Sequence, residues 1–160
     1  MPTKRTAYAT RRRTRQLVFT LQVACNAAGI PPRRKLRAWT QAALRRSARV
    51  TVRIVGSREG RLLNRTFRGR DYATNVLTFV YDDERPLAGD IVLCAPVVAR
   101  EARDQAKSLE SHYAHLIVHG MLHLQGHDHL QEDQAVAMEA REVAILARLG
   151  YDDPYRSTPA

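Results

Sequence analysis

With 160 residues, 44% of them hydrophobic, the chain can fold as one domain with a real core and has the composition of a soluble globular protein. No apolar run approaches the roughly 18 residues that span a bilayer, and no apolar stretch follows the charges of "MPTKRTAYATRRRTRQ", so neither a membrane protein nor a secreted one is expected. The formal net charge of +10 is lopsided: residues 1–58 hold 15 Lys and Arg and no acid, residues 59–160 hold 11 basic and 16 acidic residues, and the basic part suggests a polyanionic partner such as RNA, DNA or anionic lipid.

Residues 1–16 read as a mobile basic arm. An Arg-rich, acid-free start also resembles a transit peptide, but "LVFTLQVAC" already reads as a strand from residue 17, which favours the arm. Pro31 and Pro32 mark the start of a helix that is expected to run to about Ser47, with Leu36, Trp39, Ala43 and Leu44 inward. "VTVRIV" (50–55) alternates as a strand, and Ser57 can cap a short helix through Leu63. "NVLTFVY" (75–81) and "DIVLCA" (90–95) are two more strands, separated by the turn "DERPLAG". Helices are predicted at about 96–108, 109–125 and 131–149, the last two ended by Gly126 and Gly150 in left-handed conformation. Four strands with flanking helices make one α/β or α+β domain over 17–155, followed by a short tail at 156–160. Cys25 and Cys94, isolated and without a CxxC, read as apolar residues of a reducing compartment, so a cytoplasmic location is expected.

All six histidines fall between residues 112 and 129. On a helix over 109–125, His112, His115, His119 and His123 form one stripe, because their spacings are 3, 4 and 4. Tyr113, Leu116, Ile117, Val118, Met121, Leu122 and Leu124 cover most of the remaining surface, so the helix is buried with a polar line down one side. Two imidazoles at i and i+4 stand roughly 5–6 Å apart at Cβ, which suits one ion. Past Gly126 the chain can fold back, so His127 or His129 can join His119 and His123, whereas His115 lies too far down the helix. Three neutral imidazoles with an open fourth position describe a catalytic zinc better than a structural one. His112 and His115 fit better as polar residues of the pocket wall. The zincin motif H-E-x-x-H has its glutamate where this chain has Gly120, which speaks against a protease. Asp128 is a candidate base, or else the cap of the last helix in a D-x-x-Q box with Gln131.

"HGMLHLQGHDH" (119–129) resembles the H-G-x-L-H-L-x-G-x-D-H signature of the YbeY family of bacterial rRNA-processing endoribonucleases. "LNRTFRGRDYATNVLTF" (63–79), "GDIVLC" and "LGYDDPY" are similar to further segments of that family, with Ala73 and Val80 where prolines are usual. The resemblance spans about residues 17–155 and leaves the arm uncovered. It implies an α+β domain with a mixed four-stranded sheet, a metal site on a central buried helix, and His119, His123 and His129 as ligands, with His115 or Asp128 as an outer partner or base. It also implies that Arg68 is catalytic together with His119. The expected activity is single-strand-specific, metal-dependent endoribonuclease action in 16S rRNA 3′-end maturation and ribosome quality control, with the small ribosomal subunit, its proteins and assembly factors as partners. Zinc is the expected ion, although three imidazoles also accept nickel or another divalent ion.

A metal there would lower the pKa of water to about 7 and polarise a phosphoryl oxygen, while Arg68 would hold the phosphate. The plain alternative for Arg68 is a surface salt bridge with Asp71. Arg11, Arg12, Arg13, Arg15 and Arg70 are candidate RNA contacts. Two rival functions are a non-catalytic rRNA-binding assembly factor with a structural metal and a zinc hydrolase of some other substrate.

Overall fold

The computed structural model describes residues 14–81, 85–126 and 131–156. Its elements are β1 (Leu17–Ala24), α1 (Arg33–Ala42), β2 (Ala48–Val55), α2 (Ser57–Arg68), β3 (Val76–Tyr81), β4 (Leu87–Cys94), α3 (Ala95–Asp104), α4 (Leu109–Leu124) and α5 (Glu132–Leu149). The sheet has the order β1-β2-β4-β3; β1/β2 and β2/β4 are parallel, and β3/β4 is antiparallel. This is the expected α+β domain with a mixed four-stranded sheet.

Alternation along β2 sorts the two faces. Ala48, Val50, Val52 and Ile54 point into a large apolar core with Leu36, Trp39, Ile91, Leu93 and the inner side of α4. The opposite face is thinner: Val55, Leu77, Val92, Cys94 and Val97 pack with Leu63, Ala73 and Phe79 under α2. Helix α4 lies against β3 and β4 with α1, α3 and α5 around it, and ten of its sixteen residues are buried. Ile117, Met121 and Leu122 are fully buried; truncating any one to Ala should cost about 2–5 kcal/mol. The helix is thus held rigidly, and the polar side chains along it are held with it.

Five local expectations shift, the plainest being that α3 ends at Asp104 and not near residue 108. Helix α1 stops at Ala42 rather than Ser47, because Gln125 at the end of α4 seizes the next stretch of backbone: its Nε2 donates to the Ala43 carbonyl at 2.9 Å, and its Oε1 accepts from Arg45 N at 2.6 Å. Helix α2 runs past Leu63 to Arg68, because Asn64 is satisfied inside it: its side chain donates to the Tyr72 carbonyl at 2.7 Å, and Gly69, at φ +69°, closes the helix. Ser57 is the first residue of α2, after the cap position Gly56, and makes no side-chain cap. Gly89, read as part of a turn, lies within β4. A Cβ there would come 2.7 Å from the Phe79 carbonyl oxygen and 2.9 Å from Leu124, so the glycine serves close packing of strand and helix.

Arg15 and Gln16, assigned to the arm, are tied to the domain: Arg15 Nη1 donates to the Leu44 carbonyl, and Gln16 N donates to Ser47 Oγ. Arg11, Arg12 and Arg13 lie outside the described residues. Gly126 and Gly150 have φ of +95° and +91°, as expected of helix ends. Cys25 and Cys94 are free thiols. Among the described residues no helix is long and apolar enough to cross a membrane.

Candidate metal centre

The histidine stripe predicted from the 3, 4, 4 spacing exists. The rings of His112, His115, His119 and His123 follow one another along α4 with 6.2 Å between successive centroids. Their surroundings differ. His112 is buried; its Nε2 lies 3.0 Å from Glu101 Oε1, a carboxylate also bound by the Asn75 side-chain amide at 2.9 Å. Burial pushes the His112 pKa down, against the opposing pull of Glu101. His115 and His119 meet a second carboxylate, Glu142 of α5, which is fully buried: His115 Nε2 is 3.0 Å from Oε2, and His119 Nδ1 is 2.5 Å from Oε1. Tyr155 adds its hydroxyl to Oε2. Burial alone would raise the Glu142 pKa, but the bonds from His115 and His119 outweigh it and hold the group at about 2. Tyr155 is pushed above its ordinary value by burial and by the same carboxylate.

His115, His119 and Glu142 are a cluster that could hold a metal ion, each offering a ligand atom within 4.8 Å of the others. As arranged, it is a hydrogen-bonded cluster. Two donors at 2.0–2.1 Å from a tetrahedral ion stand roughly 3.3 Å apart, whereas His119 Nδ1 and Glu142 Oε1 are 2.5 Å apart, in direct hydrogen-bonding contact. A carboxylate accepts at the back of the ring, so a metal would meet His119 at Nε2, the arrangement common to metal-bound imidazoles. His123 stands one turn further on. Its ring centroid lies 6.2 Å from that of His119, and the cluster at hand offers imidazole and carboxylate donors of the kind a divalent ion takes. His127, Asp128 and His129 lie outside the described residues. Gln131, the other member of the D-x-x-Q box, stands at the cap position of α5 and makes no side-chain cap bond. Gly120 faces Ile91 and Thr78 of the sheet, so a side chain at the zincin glutamate position would enter the core and not the histidine line.

Arg68 ends α2. Its Nη2 donates to the Thr78 carbonyl at 2.9 Å, and its guanidinium lies over the Phe79 ring at 5.6 Å. Thr78 in turn packs beside Gly120, the residue after His119. The edge of β3 thus joins the exposed arginine to the histidine helix. The alternative of an Arg68–Asp71 salt bridge is overturned: Asp71 is taken by Arg61, with both bonds at 2.8 Å. Arg70 donates to the Tyr72 hydroxyl at 3.1 Å.

A family model described as endoribonuclease YbeY matches residues 32–150. The chain belongs to the YbeY endoribonuclease family. A protein of Nitrosomonas europaea named endoribonuclease YbeY is 57% identical over 140 residues, covering 88% of this chain and 85% of that protein. One of the same name from Nitrosomonas eutropha is 59% identical over 137 residues, covering 86% and 97%. The solution structure of TM1509 from Thermotoga maritima has the same fold, with a TM-score of 0.52 at 24% identity over 86% of this chain and 99% of that one.

Sequence reasoning missed Glu142, Tyr155 and Glu101. Glu142 had a signal: it falls on the apolar stripe of α5 with Met138, Ile145 and Leu146, and an acid in such a stripe demands donors. Tyr155 has none, because only the turn after Gly150 brings it back to the helix.

Proposed function

We propose that the protein is a metal-dependent endoribonuclease that cuts single-stranded RNA, acting in the cytoplasm on 16S rRNA 3′-end maturation and ribosome quality control, with small-subunit proteins and assembly factors as partners. Family membership over residues 32–150 and the acid-free basic residues 1–58 support it. The observation that carries it is His119: a partly exposed imidazole one turn from His123, with its Nδ1 bound to a buried carboxylate. His119, His123 and His129 are the proposed ligands, each as neutral imidazole, and zinc is the proposed ion. When bound, the ion supplies Lewis acidity toward a phosphoryl oxygen and activates water. Arg68 is proposed to hold the scissile phosphate. Its contacts to Thr78 and Phe79 pre-orient the guanidinium for a two-point contact that a lysine cannot reproduce. Arg15 and Arg70, with the arginines of the arm, are proposed to meet the RNA backbone.

The test is cleavage of a structured rRNA fragment by protein stripped of metal and then reloaded. Reloaded wild type should cut, and His119→Ala should bind little metal and not cut. Equal cleavage by stripped and reloaded protein would sink the reading. A 2′,3′-cyclic phosphate end on the product would identify the substrate's 2′-hydroxyl as nucleophile. Metal analysis of His129→Ala and His115→Ala fixes the ligand set: the ion should be lost from the first and kept in the second. Arg68→Ala should keep its metal and melting temperature while cleavage falls steeply, and Arg68→Lys should not restore it.

A further inference from the structure

We propose that Glu142 and Tyr155 are positioning residues that set the tautomers of two neighbouring histidines, so that His119 is ready to bind a metal through Nε2 and His115 is not. The inference rests on the reading of His119 as a ligand, and it concerns how the fold prepares that ligand.

Glu142 is fully buried, and a buried carboxylate persists only where donors surround it. It receives three of them, from two parts of the chain. On Oε1 it accepts from His119 Nδ1 of α4; on Oε2 it accepts from His115 Nε2 of α4 and from the Tyr155 hydroxyl. An ionised carboxylate cannot donate. Each facing ring nitrogen must therefore carry the proton. The result is opposite tautomers on adjacent turns: His119 is protonated at Nδ1 and presents a lone pair at Nε2, whereas His115 is protonated at Nε2. The remaining nitrogen of His115, Nδ1, is buried without a hydrogen-bond partner, so this ring has no lone pair directed to the cleft.

Tyr155 holds the carboxylate in the rotamer that achieves this. It arrives by a route independent of α4. Helix α5 ends at Gly150, whose φ of +91° turns the chain back. Lys107 Nζ then clamps the returning segment by donating to the Pro154 carbonyl at 2.6 Å, and the Tyr155 backbone N–H donates to Asp153 Oδ1 at 2.8 Å. The Tyr155 ring stands edge-on to His115 at 5.3 Å, with its hydroxyl 3.3 Å from His115 Nε2. The C-terminal segment is thus a built part of the site, although it touches no reacting atom.

Two measurements test this on the full chain. The first needs no metal. Nitrogen-15 NMR of the metal-free protein should show His119 as the Nδ1–H tautomer and His115 as Nε2–H. In Glu142→Gln the His119 signal should move toward the other tautomer, and in Tyr155→Phe it should shift partly. The second is cobalt(II) affinity by chelator competition, with the visible spectrum as a count of ligands. Glu142→Gln should bind about 10–100-fold more weakly, the usual cost of losing the outer partner of a ligating histidine. Tyr155→Phe, a milder change at a half-exposed side chain, should bind more weakly by a smaller factor. Both should keep the wild-type spectrum. The proposal is overturned if wild-type His119 is protonated at Nε2, or if both variants match wild type in tautomer and affinity. It is also overturned if the spectrum of Glu142→Gln shows a ligand lost, since the carboxylate would then bind the ion itself. If wild type binds no cobalt, the nuclease reading fails, and the tautomers alone decide this inference.

Discussion

His112 and His119 stand on the same face of α4, and each bonds a carboxylate, with the burial of the two partners reversed. At His112 the imidazole is inside, its side chain 3% exposed, and Glu101 is the outer group at 30%. At His119 the carboxylate is inside, with the Glu142 side chain 0% exposed, and the imidazole is the outer group at 27%. The buried partner of such a pair is fixed by the core, and the outer partner is the one a ligand can reach. The first pair therefore joins α4 to α3 and, through Asn75, to the start of β3. The second holds an accessible ring in one orientation. One helix thus carries a buried, structural histidine and an accessible one less than two turns apart.

The largest effect expected from breaking this comparison is on metal binding. His119→Ala should weaken it by more than the roughly 10–100-fold that loss of an outer partner costs. His112→Ala should leave metal affinity within a few-fold of wild type, as measured by chelator competition. Its cost falls on stability instead, by about 2–4 kcal/mol in urea unfolding, from the cavity and from the lost bond to Glu101. If His112→Ala loses its metal as completely as His119→Ala, the division of roles along the helix is wrong.

Acid should sharpen the same contrast more gently. Burial lowers the folded-state pKa of His112 below its ordinary value of 6.5, so the folded protein binds this proton less readily than the unfolded chain. The stabilising contribution of the neutral ring is therefore present above pH 6.5 and is lost as the pH falls through the lowered value. His112→Gln, which cannot titrate, should show a flatter loss of stability between pH 7 and pH 5 than wild type. An unchanged acid limb would mean that His112 is not held neutral by burial.

What the sequence made legible follows from the range of the interactions involved. The histidine line, the strands and the glycine ends of α4 and α5 are local patterns, and a period of 3.6 or 2 exposes them. The end of α1 is not local, since Gln125 sets it from about 80 residues away. The partner of His119 is not local either. Glu142 was visible as an acid in an apolar stripe, but nothing in the stripe says which histidine it meets. Arg68 shows the opposite failure: the nearby Asp71 made an attractive partner, yet Arg61, seven residues earlier on α2, holds it through two bonds. The basic half of the chain was legible as charge, although its first thirteen residues lie outside the described structure.

The smallest effect concerns Gly120, the residue that follows His119 and faces the sheet. A Cβ there would sit 3.2 and 3.3 Å from Ile91 and 3.4 Å from Thr78, closer than comfortable packing but against side-chain methyl groups that can yield. Replacing glycine by alanine inside a helix favours the helix by about 1 kcal/mol, and crowding of a packed core costs about 1–3 kcal/mol where the neighbours cannot yield. Here a shift of a few tenths of an ångström suffices, so the two terms nearly cancel. Gly120→Ala should change unfolding free energy by less than about 1 kcal/mol. Any displacement would move α4 away from β3 and β4, carrying His119 with it while Arg68 stays bound to Thr78. Metal affinity should therefore stay near wild type, because His119, His123 and Glu142 move together, whereas RNA cleavage should fall by a few-fold as the distance between ring and guanidinium grows. Equal losses in metal affinity and cleavage would show that the close contact at Gly120 positions the metal ligands among themselves and not against the arginine.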